Sequence, residues 1–293
     1  MYPETMATGR HFAILAAFLL PTFPVKAAPS VMSEAMNKEQ RQGAVFLDSL
    51  SIPCPGEVFA ALNKVCRPNW ATLVTPATAP VSGDRAQLAL AIGVLATDGY
   101  IAVEAQDGQQ VKNVGREIMA MAKALGVSQS LLGRGHSLVE FADTGAWEAL
   151  SDELAATEEE VKATMAGQKD RDLVLLTSSA AWLRGLETAT GVVLADDSMR
   201  GAAVIRLPEL ASRLSSDLAT LPPRLGGNPR VVAVREALAK ASGLLSAQNP
   251  TPEQQKKNLR EIHDACATAV RVIMASAKVT ASPSPSAEAP PAR

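Results

Sequence analysis

From residue 84 onward, apolar side chains recur along the chain at intervals of three and four residues. Leu88 and Ile92 begin one such series. Because this spacing places apolar residues on one side of a helix, it predicts amphipathic helices. The dipeptide Asp107-Gly108 predicts a short turn between two antiparallel helices, and Gly126 predicts a glycine cap at the end of the second one.

The same spacing continues to residue 273 and predicts several further helices. Alanine and leucine dominate the apolar residues, aromatic residues make up 4% of the chain, and β-branched residues seldom cluster. This composition favours helices over sheets. The sequence therefore predicts an all-α fold, an irregular bundle of about eight helices joined by short turns. The later helices are expected around Trp147–Met165, Leu173–Leu186, Leu207–Leu218, Val231–Leu245 and Leu259–Ile273, with a less regular stretch from Thr188 to Arg206.

The first 27 residues have the pattern of a secretory signal peptide. Arg10 and His11 precede an apolar run from Phe12 to Phe23, and cleavage is expected after Ala27. A run of about 12 residues is shorter than the roughly 20 that span a bilayer. No cysteine follows the run closely enough to be acylated. We therefore expect a soluble periplasmic or secreted product.

The remaining chain divides into three parts. Residues 28–82 are interpreted as an N-terminal arm, with an amphipathic stretch near residues 39–50 and a short helix flanked by cysteines. Residues 83–279 form the predicted helical domain. Its most apolar window, Leu88–Thr97, is too short to cross a membrane, so no transmembrane segment is expected after removal of the signal. Residues 280–293, rich in Pro, Ser and Ala, are predicted to be disordered.

Cys54 and Cys66 form a possible disulfide, because two of three cysteines in an oxidising compartment can pair. The segment between them begins with Pro55 and reads as a short helix. A helix of about ten residues separates its ends by roughly 15 Å, whereas disulfide-bonded Cα atoms lie within about 7 Å. Pairing would require the Cys54 flank to fold back along the helix. The alternatives are two unpaired thiols or a bond to Cys266.

The chain has 28 basic and 30 acidic residues and a formal net charge of -2. This balance provides no general attraction for nucleic acid or anionic lipid, so neither is expected as a partner. The acidic runs Glu158–Glu160 and Asp196–Asp197 are interpreted as solvated faces or turn residues.

Asp98 and Arg184 lie near the middle of long apolar stripes, and each precedes a glycine. A buried charge requires a partner. We therefore expect an ion pair if the two helices touch, which the small residues around Gly93 would permit. The functional alternative is an acid/base site assembled from Asp98, Glu104, His136 and Arg184.

Two weaker patterns suggest ligand sites. Arg134 and His136 stand in a glycine-rich stretch whose backbone amides could bind an anion, although an ordinary turn between helices is the favoured interpretation of the stretch. His263 and Cys266 are three residues apart, as neighbouring metal ligands on a helix can be. Cys266, however, falls on an apolar stripe and is interpreted as a buried thiol. Neither a metal nor a cofactor is predicted.

The sequence lacks the G-x-S-x-G, H-E-x-x-H, S-x-x-K and C-x-x-C motifs of several enzyme classes. The leading hypothesis is an exported, non-enzymatic helical module of the bacterial envelope that binds an unidentified protein or envelope partner. One alternative is an envelope enzyme that uses the acid/base residues above. The other is a protein that binds a small hydrophobic ligand in an apolar cavity between helices.

Overall fold

The computed structural model describes residues 45–47, 50–127, 134–167, 170–196 and 198–276. The predicted signal peptide, residues 28–44 and 48–49 of the predicted N-terminal arm, and the predicted disordered tail lie outside these residues.

The protein is an all-α bundle, as predicted. The described residues contain ten α-helices, two more than the apolar pattern indicates. The additional ones are a helix that begins at Arg134 and a single turn that begins at Pro223. The helices are α1 (Pro55–Val65), α2 (Arg85–Glu104), α3 (Gly108–Leu125), α4 (Arg134–Thr144), α5 (Trp147–Gly167), α6 (Arg171–Ala195), α7 (Pro208–Ala219), α8 (Pro223–Gly226), α9 (Pro229–Leu245) and α10 (Pro252–Met274).

One prediction about local structure needs correction. The stretch around Arg134 and His136 is not an interhelical turn but the first turn of α4. Two short antiparallel strands, β1 (Val45–Leu47) and β2 (Leu50–Ile52), pair at the end of the stretch near residues 39–50 that was expected to be amphipathic. The rest of that stretch lies outside the described residues.

Helix α6 is longer than its apolar pattern suggests, because it continues through the less regular stretch to Ala195. The helix is buried around nearly its whole circumference, so it has no polar face to produce a clear period. Two of its buried hydroxyls bond within the helix: Thr188 donates to the carbonyl of Arg184 at 3.0 Å, and Thr190 donates to that of Leu186 at 2.7 Å.

Helices α2 and α6 form the centre of the bundle and approach each other at backbone distance. A Cβ atom on Gly93 would lie 2.1 Å from the carbonyl oxygen of Thr177. Hydroxyl groups connect the two backbones in both directions. Thr97 donates to the carbonyl of Ala181 at 3.0 Å, and Thr177 donates to that of Ala89 at 3.1 Å. The expected close approach near Gly93 is therefore confirmed.

The other helices surround this central pair. Helix α10 packs on α6, and α9 packs between α10 and α7. Helices α3 and α5 pack on α2, and α4 packs on both α3 and α5. The short α1 contacts α2 and α6, and its side chains Phe59 and Leu62 are fully buried. This arrangement places the N-terminus of α1 beside the middle of α5.

Helix α2 is 20 residues long, and its most apolar window has a mean hydropathy of 1.6. Leu88–Thr97 is only the middle of this helix, so the shortness of that stretch does not exclude a span, and the absence of a transmembrane segment stays a prediction. In the described part of the chain it is the one helix that has the length and composition of a span. Since 94% of the window is buried by the other helices, its apolar character is accounted for by its central position.

Candidate functional site

A cleft of about 890 Å³ lies between the N-terminal half of α1 and the outer face of α5. Tyr100 of α2 and Arg134 of α4 also line it. Much of its wall consists of small side chains, which leave room for a ligand against the helix backbones. These are Gly56 and Ala60 of α1 together with Ser151, Ala155, Ala156 and Ala163 of α5. The remaining wall is rich in carboxylates.

The first turn of α1 is fixed by its own sequence. Pro55 occupies the first helical position. A backbone N–H at this position would have no acceptor within the helix, so the N–H that proline lacks is not needed there. The Glu57 carboxylate reaches back and accepts the backbone N–H of Cys54 at 3.1 Å. Gly56 lets Tyr100 approach, since a Cβ atom there would lie 2.9 Å from the tyrosine ring. The turn therefore presents Glu57 and Cys54 to the cleft.

A buried ion pair supports the opposite wall. Lys162 lies 2.6 Å from Glu158 one turn earlier on α5, and both side chains are less than 10% exposed. The Tyr100 hydroxyl donates to Glu158 at 3.3 Å and so connects α2 to α5. The interpretation of the run Glu158–Glu160 as a solvated face was wrong for Glu158. Its place four residues after Leu154, on the apolar stripe, is a signal in the sequence that points to burial.

Arg134 is paired with carboxylates. Its guanidinium binds Glu160 and lies 3.3 Å from Glu153, both on α5. His136, two residues further along the first turn of α4, is exposed. The predicted anion site at Arg134 and His136 is therefore not favoured, because an anion would have to displace two carboxylates from the arginine.

Glu57 is the carboxyl group in the cleft whose protonation is most affected by its surroundings. Burial, and to a smaller extent the negative charge of Glu158, raises the pKa of Glu57 to about 7, against the opposing effect of the Cys54 N–H bond. Its Oε1 is buried and has no hydrogen-bond partner among the described residues. The cleft is therefore lined by a carboxyl group that changes charge near neutral pH and has one oxygen without a hydrogen-bond partner.

Cys54 lines the same cleft, but its chemistry is unfavourable for nucleophilic catalysis. Burial, together with the negative charges of Glu158 and Glu57, raises the pKa of the thiol to about 12. The thiolate, which is the reactive form, is therefore scarce at neutral pH.

The four predicted acid/base residues do not form one site. Asp98 and Arg184 pair at 2.8 Å in the centre of the bundle, which confirms the expected ion pair, and Glu187 lies 2.9 Å from the same guanidinium. Glu104 instead accepts a hydrogen bond from Asn63 at 2.7 Å. With His136 exposed on α4, no residue of this group lines the cleft.

The two residues weighed as metal ligands have other environments. Cys266 is fully buried in the apolar core. His263 has its Nδ1 3.0 Å from the carbonyl oxygen of Glu187, an acceptor that holds the ring against α6. Among the described residues, no group of three or more His, Cys, Asp or Glu side chains is arranged to hold a metal ion.

All three cysteines are free and buried in the structure. The possible disulfide between Cys54 and Cys66 is not formed, because the two residues cap opposite ends of α1. The flank that carries Cys54 does not fold back along the helix, and the intact helix keeps the thiols roughly 18 Å apart.

Thiol counting checks this arrangement. After unfolding in denaturant without reductant, we expect three thiols per chain to react with a chromogenic disulfide reagent, whereas the folded protein should react slowly because all three thiols are buried. A count of one thiol in the unfolded, unreduced protein would contradict the structure. The same count after reduction serves as the control.

One alternative hypothesis requires an apolar cavity between helices that can hold a hydrophobic ligand. The apolar pocket that the structure shows is too small for this. A pocket between α1 and α6, lined by Val58, Trp182 and Leu186 among others, has a volume of about 10 Å³. That is roughly the space of one water molecule. In the described residues, the polar cleft is therefore the better candidate for a ligand site.

Comparison with known proteins adds no assignment. No protein-family model matches the chain, and no curated protein or solved structure matches it significantly.

Proposed function

We propose that the protein is an exported, non-enzymatic binding protein of the bacterial envelope and that the cleft between α1 and α5 is its ligand site. The observation that carries the proposal is the cleft itself. Its volume of about 890 Å³ lies within the range of small-molecule sites, roughly 300–1,000 Å³. Export is supported by the signal pattern that ends at Ala27.

The walls of the cleft are supported on both sides, which favours specific binding. The Glu57 bond to the Cys54 backbone fixes the first turn of α1. The Tyr100 hydroxyl and Lys162 hold Glu158 in place on α5. A site whose polar groups are already positioned loses less conformational entropy when a ligand binds.

Binding is favoured over catalysis because the cleft lacks an activated nucleophile. The Cys54 thiol has a raised pKa, and the predicted acid/base residues lie elsewhere. The protein partner and the enzymatic activity considered from the sequence remain predictions that no arrangement of the described residues favours.

A blocking substitution tests the site. Ala163 lines the cleft from an exposed position on α5, so Ala163→Trp should fill it without disturbing the core. Ala166→Trp, also exposed on α5 but outside the cleft, is the matched control. Both variants and the parent protein, without the signal peptide, would be screened by thermal unfolding against amines, amino acids, sugars and carboxylic acids.

We expect at least one compound to raise the melting temperature of the parent protein. At a concentration of 100 times Kd the stabilisation is about 2.7 kcal/mol, on the order of 5–10 °C for a chain of this size. The shift should persist in Ala166→Trp and disappear in Ala163→Trp. A shift that survives in Ala163→Trp would place the ligand elsewhere, and a screen without any stabilising compound would contradict the proposal.

A further inference from the structure

The two oxygens of Glu57 have different surroundings. Oε2 accepts the Cys54 N–H, whereas Oε1 is buried and has no hydrogen-bond partner among the described residues, and the Glu57 residue lines the cleft. A buried polar atom without a partner is unfavourable. A bound proton or a hydrogen-bond donor on a ligand would relieve it.

We infer that the cleft binds a small protonated alkylamine whose N–H groups take the place of a proton on Glu57, so that binding releases this proton. The inference rests on the proposed function and names the ligand class of the same site.

The charges around Glu57 favour a cation. On α5, Lys162 is shared between Glu158 at 2.6 Å and Glu159 at 3.6 Å. On α4, Arg134 is likewise shared between two carboxylates of α5, those of Glu153 and Glu160.

Each cation near the cleft is therefore matched by two carboxylates, and the carboxylate of Asp152 on α5 also lines the cleft. Helix α2 contributes the neutral hydroxyl of Tyr100, and α1 contributes the neutral thiol of Cys54. An ionised Glu57 adds one more negative charge. A ligand cation would reduce this excess, and low solvent exposure would strengthen the attraction.

The shape and chemistry of the cleft walls determine which kind of cation the cleft can bind. The small side chains of Gly56, Ala60 and Ala156 offer a smooth apolar surface for an alkyl chain. The ring of Tyr100 packs against Gly56, and its hydroxyl is bonded to Glu158. The cation must therefore be recognised by carboxylate oxygens, which accept N–H donors. A quaternary ammonium has no such donor.

The sign of the pH dependence follows from the raised pKa of Glu57, about 7. Below this pH the carboxyl group is protonated in the free protein, and the ligand must displace the proton. Above it the carboxylate is already ionised. Apparent affinity should therefore rise as pH increases through 7 and then level off.

Isothermal titration calorimetry of the protein without its signal peptide tests the inference, with 1,4-diaminobutane as the probe. Its amines stay protonated from pH 6 to pH 8. We expect about tenfold tighter binding at pH 8 than at pH 6. Titrations in two buffers of different ionisation enthalpy should show release of about one proton at pH 6 and nearly none at pH 8. Tetramethylammonium should not bind.

Glu57→Gln keeps an oxygen that can accept the Cys54 N–H but removes the charge. It should bind 1,4-diaminobutane at least about tenfold more weakly at pH 8 and lose the pH dependence. Glu209→Gln is the matched control, because Glu209 is an exposed carboxylate in the first turn of another helix, α7, and should bind as the parent does.

The outcomes separate this inference from the proposed function. Equal affinity at pH 6 and pH 8, or a pH dependence that persists in Glu57→Gln, would overturn the inference. Failure of 1,4-diaminobutane to bind at either pH would also overturn it. In each case the proposed function would stand if any compound still stabilised the parent protein and Ala166→Trp but not Ala163→Trp.

Discussion

Replacement of Gly93 by alanine is expected to lower the free energy of unfolding by about 3 kcal/mol. The added Cβ would lie 2.1 Å from the Thr177 carbonyl oxygen and 2.8 Å from the Ala181 nitrogen. Both are backbone atoms of α6, so neither can rotate away. Helices α2 and α6 would have to separate, which would weaken the two hydroxyl bonds that connect their backbones.

Gly115→Ala is the matched control for this prediction. Gly115 lies in the interior of α3, and a Cβ atom there would meet no atom within 4 Å. Alanine favours the helix over glycine by up to about 1 kcal/mol, so this variant should be slightly more stable than the parent. Urea unfolding followed by circular dichroism measures both changes. Similar effects of the two substitutions would show that α2 and α6 are not in backbone contact.

Removal of the central guanidinium by Arg184→Met is expected to lower the free energy of unfolding by about 3–5 kcal/mol at pH 8. Asp98 and Glu187, whose side chains are only 9% and 12% exposed, would lose the cation that lies within 3 Å of each. Methionine can fill part of the space but cannot compensate two buried carboxylates.

The destabilisation caused by Arg184→Met should become smaller as pH falls. Burial already raises the pKa of Asp98 and Arg184 opposes this effect, so removal of the guanidinium should raise the folded-state pKa of Asp98 further above its unfolded value. Groups shifted in this direction destabilise the fold at high pH and cease to do so once they are protonated. The difference in unfolding free energy between parent and variant should therefore be smaller at pH 5 than at pH 8.

Lys240→Met is the control for removal of a cation. Lys240 lies 3.5 Å from Glu261, and both side chains are largely in contact with solvent, at 48% and 39% exposed. Surface pairs of this kind contribute about 0–1 kcal/mol. A loss in Arg184→Met no larger than in Lys240→Met, or one independent of pH, would contradict a central role for the buried pair.

Local sequence signals predicted several features correctly. Pro55 and the flanking cysteines bounded α1 as the structure has it, and Gly126 ends α3 with a φ of 80°. The pairing of Asp98 with Arg184 was also foreseeable, since two opposite charges on long apolar stripes have few other ways to be satisfied. In each case the residues that determine the feature are neighbours in the chain or have few possible partners.

The cleft could not be predicted in this way, because its residues come from distant parts of the chain. Tyr100 and Glu158, which hydrogen-bond across its wall, are 58 positions apart. Cys54 and Glu57 suggested only a helix start and a possible disulfide. The sequence did contain one local signal, the position of Glu158 on an apolar stripe, but it did not reveal which helix would cover that carboxylate.

The sequence by itself determined the helical class and most helix limits, because helix periodicity and capping act over short distances. It also left Asp98 and Arg184 few possible partners, since a buried charge must be compensated. Only the tertiary structure decided that α2 and α6 touch at Gly93, which lets this ion pair form, and that α1 docks beside α5. These contacts depend on the fit of whole helix faces. The docking of α1 buries Glu57, and this burial, with a smaller effect of the Glu158 charge, raises the pKa of Glu57. This docking turns an unremarkable helix start into a candidate binding site.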